Sequence, residues 1–218
     1  MKPTRVTSAV TAAFLGAEGL IYTAFLVLDL MEWDSIAIWL KDISVLLCLG
    51  CVLFFAVRGG DKLIALAVGF AVAADAFLLV AGEYWPAGIA LFLCVQTVCL
   101  IRLRLWGAPQ AWPLRAGLTL LLGLILQYAQ LATPLNLLAV LYFAQLLSNT
   151  VLAWHIRRRL FAAALTLFVC CDVCIGLYHI LPLSPTLSHL TALGMWLFYL
   201  PAQVLFVLSA KEVFHENK

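Results

Sequence analysis

Between Leu63 and Ala81 the chain reads LIALAVGFAVAADAFLLVA, an apolar run interrupted by one charge, Asp75. As a helix rising about 1.5 Å per residue, the run crosses a bilayer core about 30 Å thick. A carboxylate at that depth has no water around it, so it must be neutral, paired or facing a wet cavity. Asp172 repeats the problem inside LFAAALTLFVCCDVCIGLYHI. The rest of the chain is read as a scaffold that holds these two acids in one intramembrane pocket.

Composition agrees with a membrane setting. Charged residues are 11% of the chain and the mean hydropathy is +1.07, against roughly 25% charged residues in a soluble domain. Eight apolar segments can be drawn, at about 8–29, 35–57, 62–82, 86–104, 114–132, 134–156, 160–181 and 188–210. Short connections marked by Asp34, Gly59–Gly60, Pro86, Pro113, Pro134 and Pro185 separate them. The expectation is an all-α, polytopic membrane helical bundle of about eight transmembrane helices, forming a single transmembrane domain over 1–218. The first segment follows Lys2 and Arg5 but is too long for the apolar region of a signal peptide, so it is read as a span.

Orientation follows from the basic residues. Of the 13 Lys and Arg, all but Lys41 fall at one set of segment ends, whereas the opposite connections carry Asp29, Glu32, Asp34 and Glu83. The positive-inside rule then places both termini in the cytoplasm with an even number of spans. The basic residues form no stripe of the kind that grips nucleic acid, so no nucleic-acid partner is expected. The Val72-Ala-Ala-Asp75 and Val169-Cys-Cys-Asp172 segments, with Gln96 and Gln203 in the helices that follow, suggest a four-plus-four repeat over about 1–107 and 108–218.

Further polar residues lie inside apolar segments: Glu18, Lys41, Asp42, Gln96, Gln127, Gln130, Tyr142, Gln145, Asn149, Tyr178, Tyr199 and Gln203. This number favours a hydrated cavity over isolated pairs. Interhelical hydrogen-bond glue is the alternative, and it suits Gln127, Gln130 and Gln145 best. Lys41 is close enough to a helix end to snorkel outward, and Glu18 is a candidate for a structural ion pair with it. The seven cysteines all fall in apolar segments, where packing explains them better than disulfides or the metal-like spacing of Cys48/Cys51 and Cys171/Cys174. No His-x-x-x-His pair suggests zinc hydrolysis, and no G-x-S-x-G turn suggests a serine hydrolase. Carboxylate acid–base chemistry, ion or proton movement and lipid binding remain.

Five segments carry a resemblance. Trp39-Leu-Lys41 precedes Ser-Val-Leu-Leu-Cys-Leu; Ala73-Ala-Asp75-Ala-Phe-Leu-Leu follows; then come Gly88-Ile-Ala-Leu-Phe-Leu-Cys-Val-Gln96, Cys171-Asp172 and Tyr199-Leu-Pro-Ala-Gln203. In order, spacing and helix placement they resemble the YhhN-type lysoplasmalogenases, eight-span proteins that hydrolyse the vinyl ether bond of lysoplasmalogens. Asp42 stands where that family has proline, Ala74 where it has glycine and Gln96 where it has histidine. The resemblance implies Asp75 and Asp172 as the catalytic pair, with Lys41, Gln96, Asn149, Tyr199, Gln203 and Glu18 around the substrate. It implies a lysophospholipid substrate among membrane lipids, no metal or organic cofactor, and a multi-pass protein of the bacterial inner membrane. A small transporter or proton-linked carrier built on the same intramembrane acids is the alternative, as is a non-catalytic lipid-binding relative.

Overall fold

The protein is described by a computed structural model, with residues 5–31, 33–80, 84–180 and 184–211 placed. The described residues form eight α-helices in order: α1 (Arg5–Leu30), α2 (Asp34–Val57), α3 (Lys62–Asp75), α4 (Trp85–Leu105), α5 (Trp112–Tyr128), α6 (Pro134–His155), α7 (Arg159–Ile180) and α8 (Pro185–Ser209). No strand occurs among the described residues. Glu32, Glu83, Lys2 and Lys218, all used above to orient the chain, lie outside the described residues.

Local chemistry sets the helix starts. Asp61, Thr133 and Ser184 cap α3, α6 and α8, each side-chain oxygen accepting a backbone N–H from the first turn. Proline occupies the first turn of α4, α5, α6 and α8, where its missing N–H costs no helical bond. Gly59 and Gly107 have φ of 86° and 83°, and this left-handed geometry ends α2 and α4 cheaply only at glycine.

Two segments differ from the pattern expected of uninterrupted spans. The third stops being α-helical at Asp75 and continues as a π-helical turn, Ala76–Val80. The fifth ends at Tyr128, leaving Gln130 in a turn at φ 59°, and Gln127 and Gln130 are exposed rather than interior. Among the described residues, six helices, α1, α2, α4, α6, α7 and α8, are long and apolar enough to cross a membrane.

Helices α2, α3, α4, α6, α7 and α8 close a ring through successive neighbours, and α3 also touches α8 across it. α1 buttresses α2 and α8, while α5 packs against α6 alone among the described helices. Outward faces remain apolar, with Leu20, Val57, Leu120 and Tyr128 among the exposed side chains. A bundle apolar on both its inner and outer faces is what hydrocarbon surroundings require. Two glycines permit close approach near the acids. A Cβ at Gly88 of α4 would lie 2.5 Å from Leu78 in the π turn, and one at Gly194 of α8 would lie 2.9 Å from Cys174 Sγ of α7.

Candidate functional site

The basic end of the bundle gives a common origin for depth. Asp61, which caps α3, joins Arg102 near the end of α4, and Arg102 also reaches Ser209 at the end of α8. At about 1.5 Å per residue from that end, Asp75 on α3, Tyr142 on α6 and Asp172 on α7 all lie at about 20 Å, and Tyr199 on α8 at about 15 Å. Four helices of the ring thus bring their polar side chains to neighbouring levels.

Side-chain chemistry links them. The Tyr199 hydroxyl donates to Asp75 Oδ2 at 2.5 Å and accepts from Gln203 Nε2 at 2.8 Å. Tyr199 and Gln203 are four apart, so one face of α8 presents both. The Tyr142 hydroxyl lies near the Asp172 carboxyl. Cys171 lies within electrostatic range of both Asp75 and Asp172, as Tyr142 does of Tyr199. Aromatic rings wall the cluster: Phe168 and Trp196 pack edge-on against Tyr199 at 5.7 and 5.8 Å, and Phe92 against Tyr142 at 5.8 Å. Two acceptors in this setting, Asp172 Oδ2 and Gln203 Oε1, are buried without a hydrogen-bond partner. A buried polar oxygen left open is costly, so each of the two can exchange a hydrogen bond with water or a ligand.

The backbone under Tyr199 has a matching peculiarity. Pro201 interrupts α8 and has no N–H for the carbonyl of Leu197. The Tyr22 hydroxyl of α1 takes that carbonyl at 3.1 Å. The substituted bond holds the turn that carries Tyr199.

The remaining expected site residues fall into separate groups. Lys41 pairs with Asp29 at 3.2 Å, with its ammonium 4.8 Å from the ring centres of both Phe25 and Trp196. Through Trp196 it is two side chains removed from Tyr199. Its neighbour Asp42 turns the other way and acts electrostatically on Asp75, as the step of about 100° between adjacent helical residues requires. Glu18 does not pair with Lys41. Its carboxylate accepts from Ser44 Oγ at 2.6 Å and contacts Cys48 Sγ at 3.5 Å, joining α1 to α2. Asn149 donates through Nδ2 to the backbone oxygen and Oε1 of Gln96, at 2.9 and 3.0 Å, and accepts from Arg115 of α5.

Sequence reasoning gave Tyr142 no place in the site and did not notice Tyr22. The signal for Tyr22 was Pro201, since a proline within an apolar helix frees a carbonyl that some donor must meet. Among the described residues, no group of three His, Cys, Asp or Glu is placed to hold a metal ion.

Taken together, fold and site define a polytopic α-helical membrane protein with a carboxylate–tyrosine cluster deep in its bundle. A model of the YhhN family matches residues 36–210, and the chain belongs to that family. No curated protein and no solved structure matches it.

Proposed function

We propose that the protein hydrolyses the vinyl ether bond of lysoplasmalogens, releasing a fatty aldehyde and a glycerophospho-alcohol. The observation that carries this reading is the shared cluster: two intramembrane carboxyls at one level, Asp75 bonded to Tyr199 and Asp172 near Tyr142 with its Oδ2 unpartnered.

In the proposed reaction Asp172, as the carboxylic acid, transfers its proton to the β-carbon of the vinyl ether. The C=C pair forms the new C–H bond, and the α-carbon becomes an oxocarbenium ion. Asp75 is the ionised partner that stabilises this cation. It accepts the Tyr199 hydrogen bond, as a carboxylate does, and Gln203 holds Tyr199 in that orientation. Water adds to the α-carbon and returns a proton to Asp172. The hemiacetal then breaks its C–O bond to the glycerol oxygen, which takes the hydroxyl proton. This division between a proton donor and an ionised stabiliser follows the logic of paired carboxylates in glycoside hydrolysis. No step calls for a metal or an organic cofactor.

Lys41 is the proposed contact for the lipid phosphate, in exchange for Asp29. The arrangement belongs to eight membrane crossings with both termini cytoplasmic, in a bacterial inner membrane. α3 with its π turn and α5 are the two short crossings. Purified protein in detergent, given a lysoplasmalogen, is expected to release fatty aldehyde stoichiometrically with the glycerophospho-alcohol. A preparation that is folded yet releases no aldehyde, while moving protons or solutes in sealed vesicles, overturns the hydrolase in favour of a carrier.

A further inference from the structure

Away from the aspartates, Arg115 presents an electrostatic problem of its own. It lies in the first turn of α5, at the basic end, and is buried. Its guanidinium donates to Gln145 Oε1 and, at 2.9 Å, to Asn149 Oδ1, both neutral amides on α6. Its Nε is buried with no hydrogen-bond partner. Among the described residues, ion pairs join Lys41 to Asp29 and Arg102 to Asp61, and none includes Arg115. Arg104, exposed at the end of α4 with one terminal nitrogen donating to Ala108 O at 2.8 Å, adds a like charge that acts on it electrostatically.

A buried cation held only by neutral amides, with a second guanidinium near it, is expensive unless an anion completes the site. Guanidinium groups are suited to phosphate oxygens, which accept several N–H bonds at once. Location selects the source of the phosphate. α5 packs on α6 alone and exposes Leu120, Leu121, Leu124 and Ile125 along its length. Trp112, one turn before Arg115, is exposed where an interfacial aromatic sits. Apolar surface below and cationic groups above match acyl chains and a headgroup.

We infer that Arg115 and Arg104 bind the phosphate of a membrane phospholipid in the leaflet at the basic end, seated against α5. Gln96 and Asn149 then serve this site as well, since Asn149 is held between Gln96 and Arg115. The site stands independently of the carboxylate chemistry.

The test uses full-length protein in phosphate-free detergent buffer, titrated separately with phosphatidylglycerol, with a galactosyl diacylglycerol of the same acyl chains, and with inorganic phosphate. Thermal midpoint and bound lipid, by native mass spectrometry, are the readouts. Phosphatidylglycerol is expected to raise the midpoint saturably, with one lipid retained per chain. Arg115→Gln is expected to weaken that half-saturation by about tenfold or more, as for loss of a charge-assisted multidentate contact. Arg104→Gln, at an exposed position, should weaken it by about fivefold, the value of one basic group at a membrane surface. Equal protection by the galactolipid reduces the site to apolar contact and overturns the proposal. Equal protection by inorganic phosphate at the same concentrations assigns the anion to solution and overturns the lipid. If Arg115→Gln does not fold, the three ligand arms with the parent and Arg104→Gln still decide; an unchanged titration in Arg104→Gln removes the paired-guanidinium site.

Discussion

Two of the regions in which this bundle buries ionisable groups treat them in opposite ways. At the basic end, Arg102 is fully buried and each of its three nitrogens has a partner. Nε reaches Asp61 Oδ2 at 2.5 Å, and the two terminal nitrogens reach Ser209 Oγ and its backbone oxygen at 3.0 and 2.6 Å. The rings of Trp106 and Phe161, edge-on to each other, lie against the guanidinium with centroids at 4.0 and 4.6 Å. The other Asp61 oxygen caps α3 through Leu63 N at 2.9 Å. Further along the helices by their rise per residue, at about 20 Å for Asp172 and about 9 Å for Gln203, each of these residues keeps an unpartnered oxygen. A closed network of charges fastens helices, whereas an open one has capacity for something that arrives. The contrast sets a closed, helix-fastening ion pair against carboxyls that the proposed function uses for chemistry.

The largest effect should come from breaking the closed network. Arg102→Met leaves Asp61 as a buried charge without its partner, a loss of about 3–5 kcal/mol. Thermal unfolding in detergent should show it as a large drop in midpoint or as failure to recover monodisperse protein. Arg102→Met combined with Asp61→Leu should recover much of that loss, because no charge is then stranded. A single variant as stable as the parent would place the fastening elsewhere.

The open network should respond in activity rather than in folding. Asp75→Asn and Asp172→Asn keep volume and hydrogen-bonding capacity, and each should lower turnover by roughly 10²-fold or more, equivalent to about 2.7 kcal/mol in the barrier. Their unfolding midpoints should stay close to the parent's. The double variant should lose little more than the worse single, since groups acting as a unit are non-additive. If instead the Asp variants unfold readily and Arg102→Met does not, the two regions have been assigned the wrong way round.

Much of this contrast was legible in the sequence, though unevenly. Helical apolar segments, their proline starts and the anomaly of Asp75 and Asp172 followed from periodicity and from the cost of burying charge. The fastening did not. Arg102 reads as one more basic residue at a helix end, and its burial depends on Asp61 and Ser209, which are distant in sequence. One clue was present: Asp61 is an acid among the basic ends. The partition of Lys41 and Asp42 was readable from helical geometry, but the choice of Asp29 for Lys41 and of Ser44 for Glu18 depends on how α1 lies against α2, which no local pattern encodes. The π turn after Asp75 was hidden too, since Ala-Phe-Leu-Leu-Val is equally compatible with a regular helix.

The smallest effect, and the sharpest test of how the open network is held, concerns Tyr22. Its hydroxyl replaces the N–H that Pro201 withholds from Leu197, within the turn that carries Tyr199. Tyr22→Phe leaves that carbonyl unmet at a cost of about 1 kcal/mol, so the unfolding midpoint should fall only slightly. Turnover should fall several-fold through displacement of Tyr199 from Asp75, well short of the roughly 10² expected for removing a proton-transfer group. Pro201→Ala provides the control, because alanine restores the backbone donor and makes the tyrosine bond redundant. In that background Tyr22→Phe should cost almost nothing in either measurement, and the difference between the two backgrounds is the coupling energy of the pair. An equal loss in both backgrounds means that Tyr22 acts by packing α1 against α8, and that the α8 turn carries Tyr199 without its help.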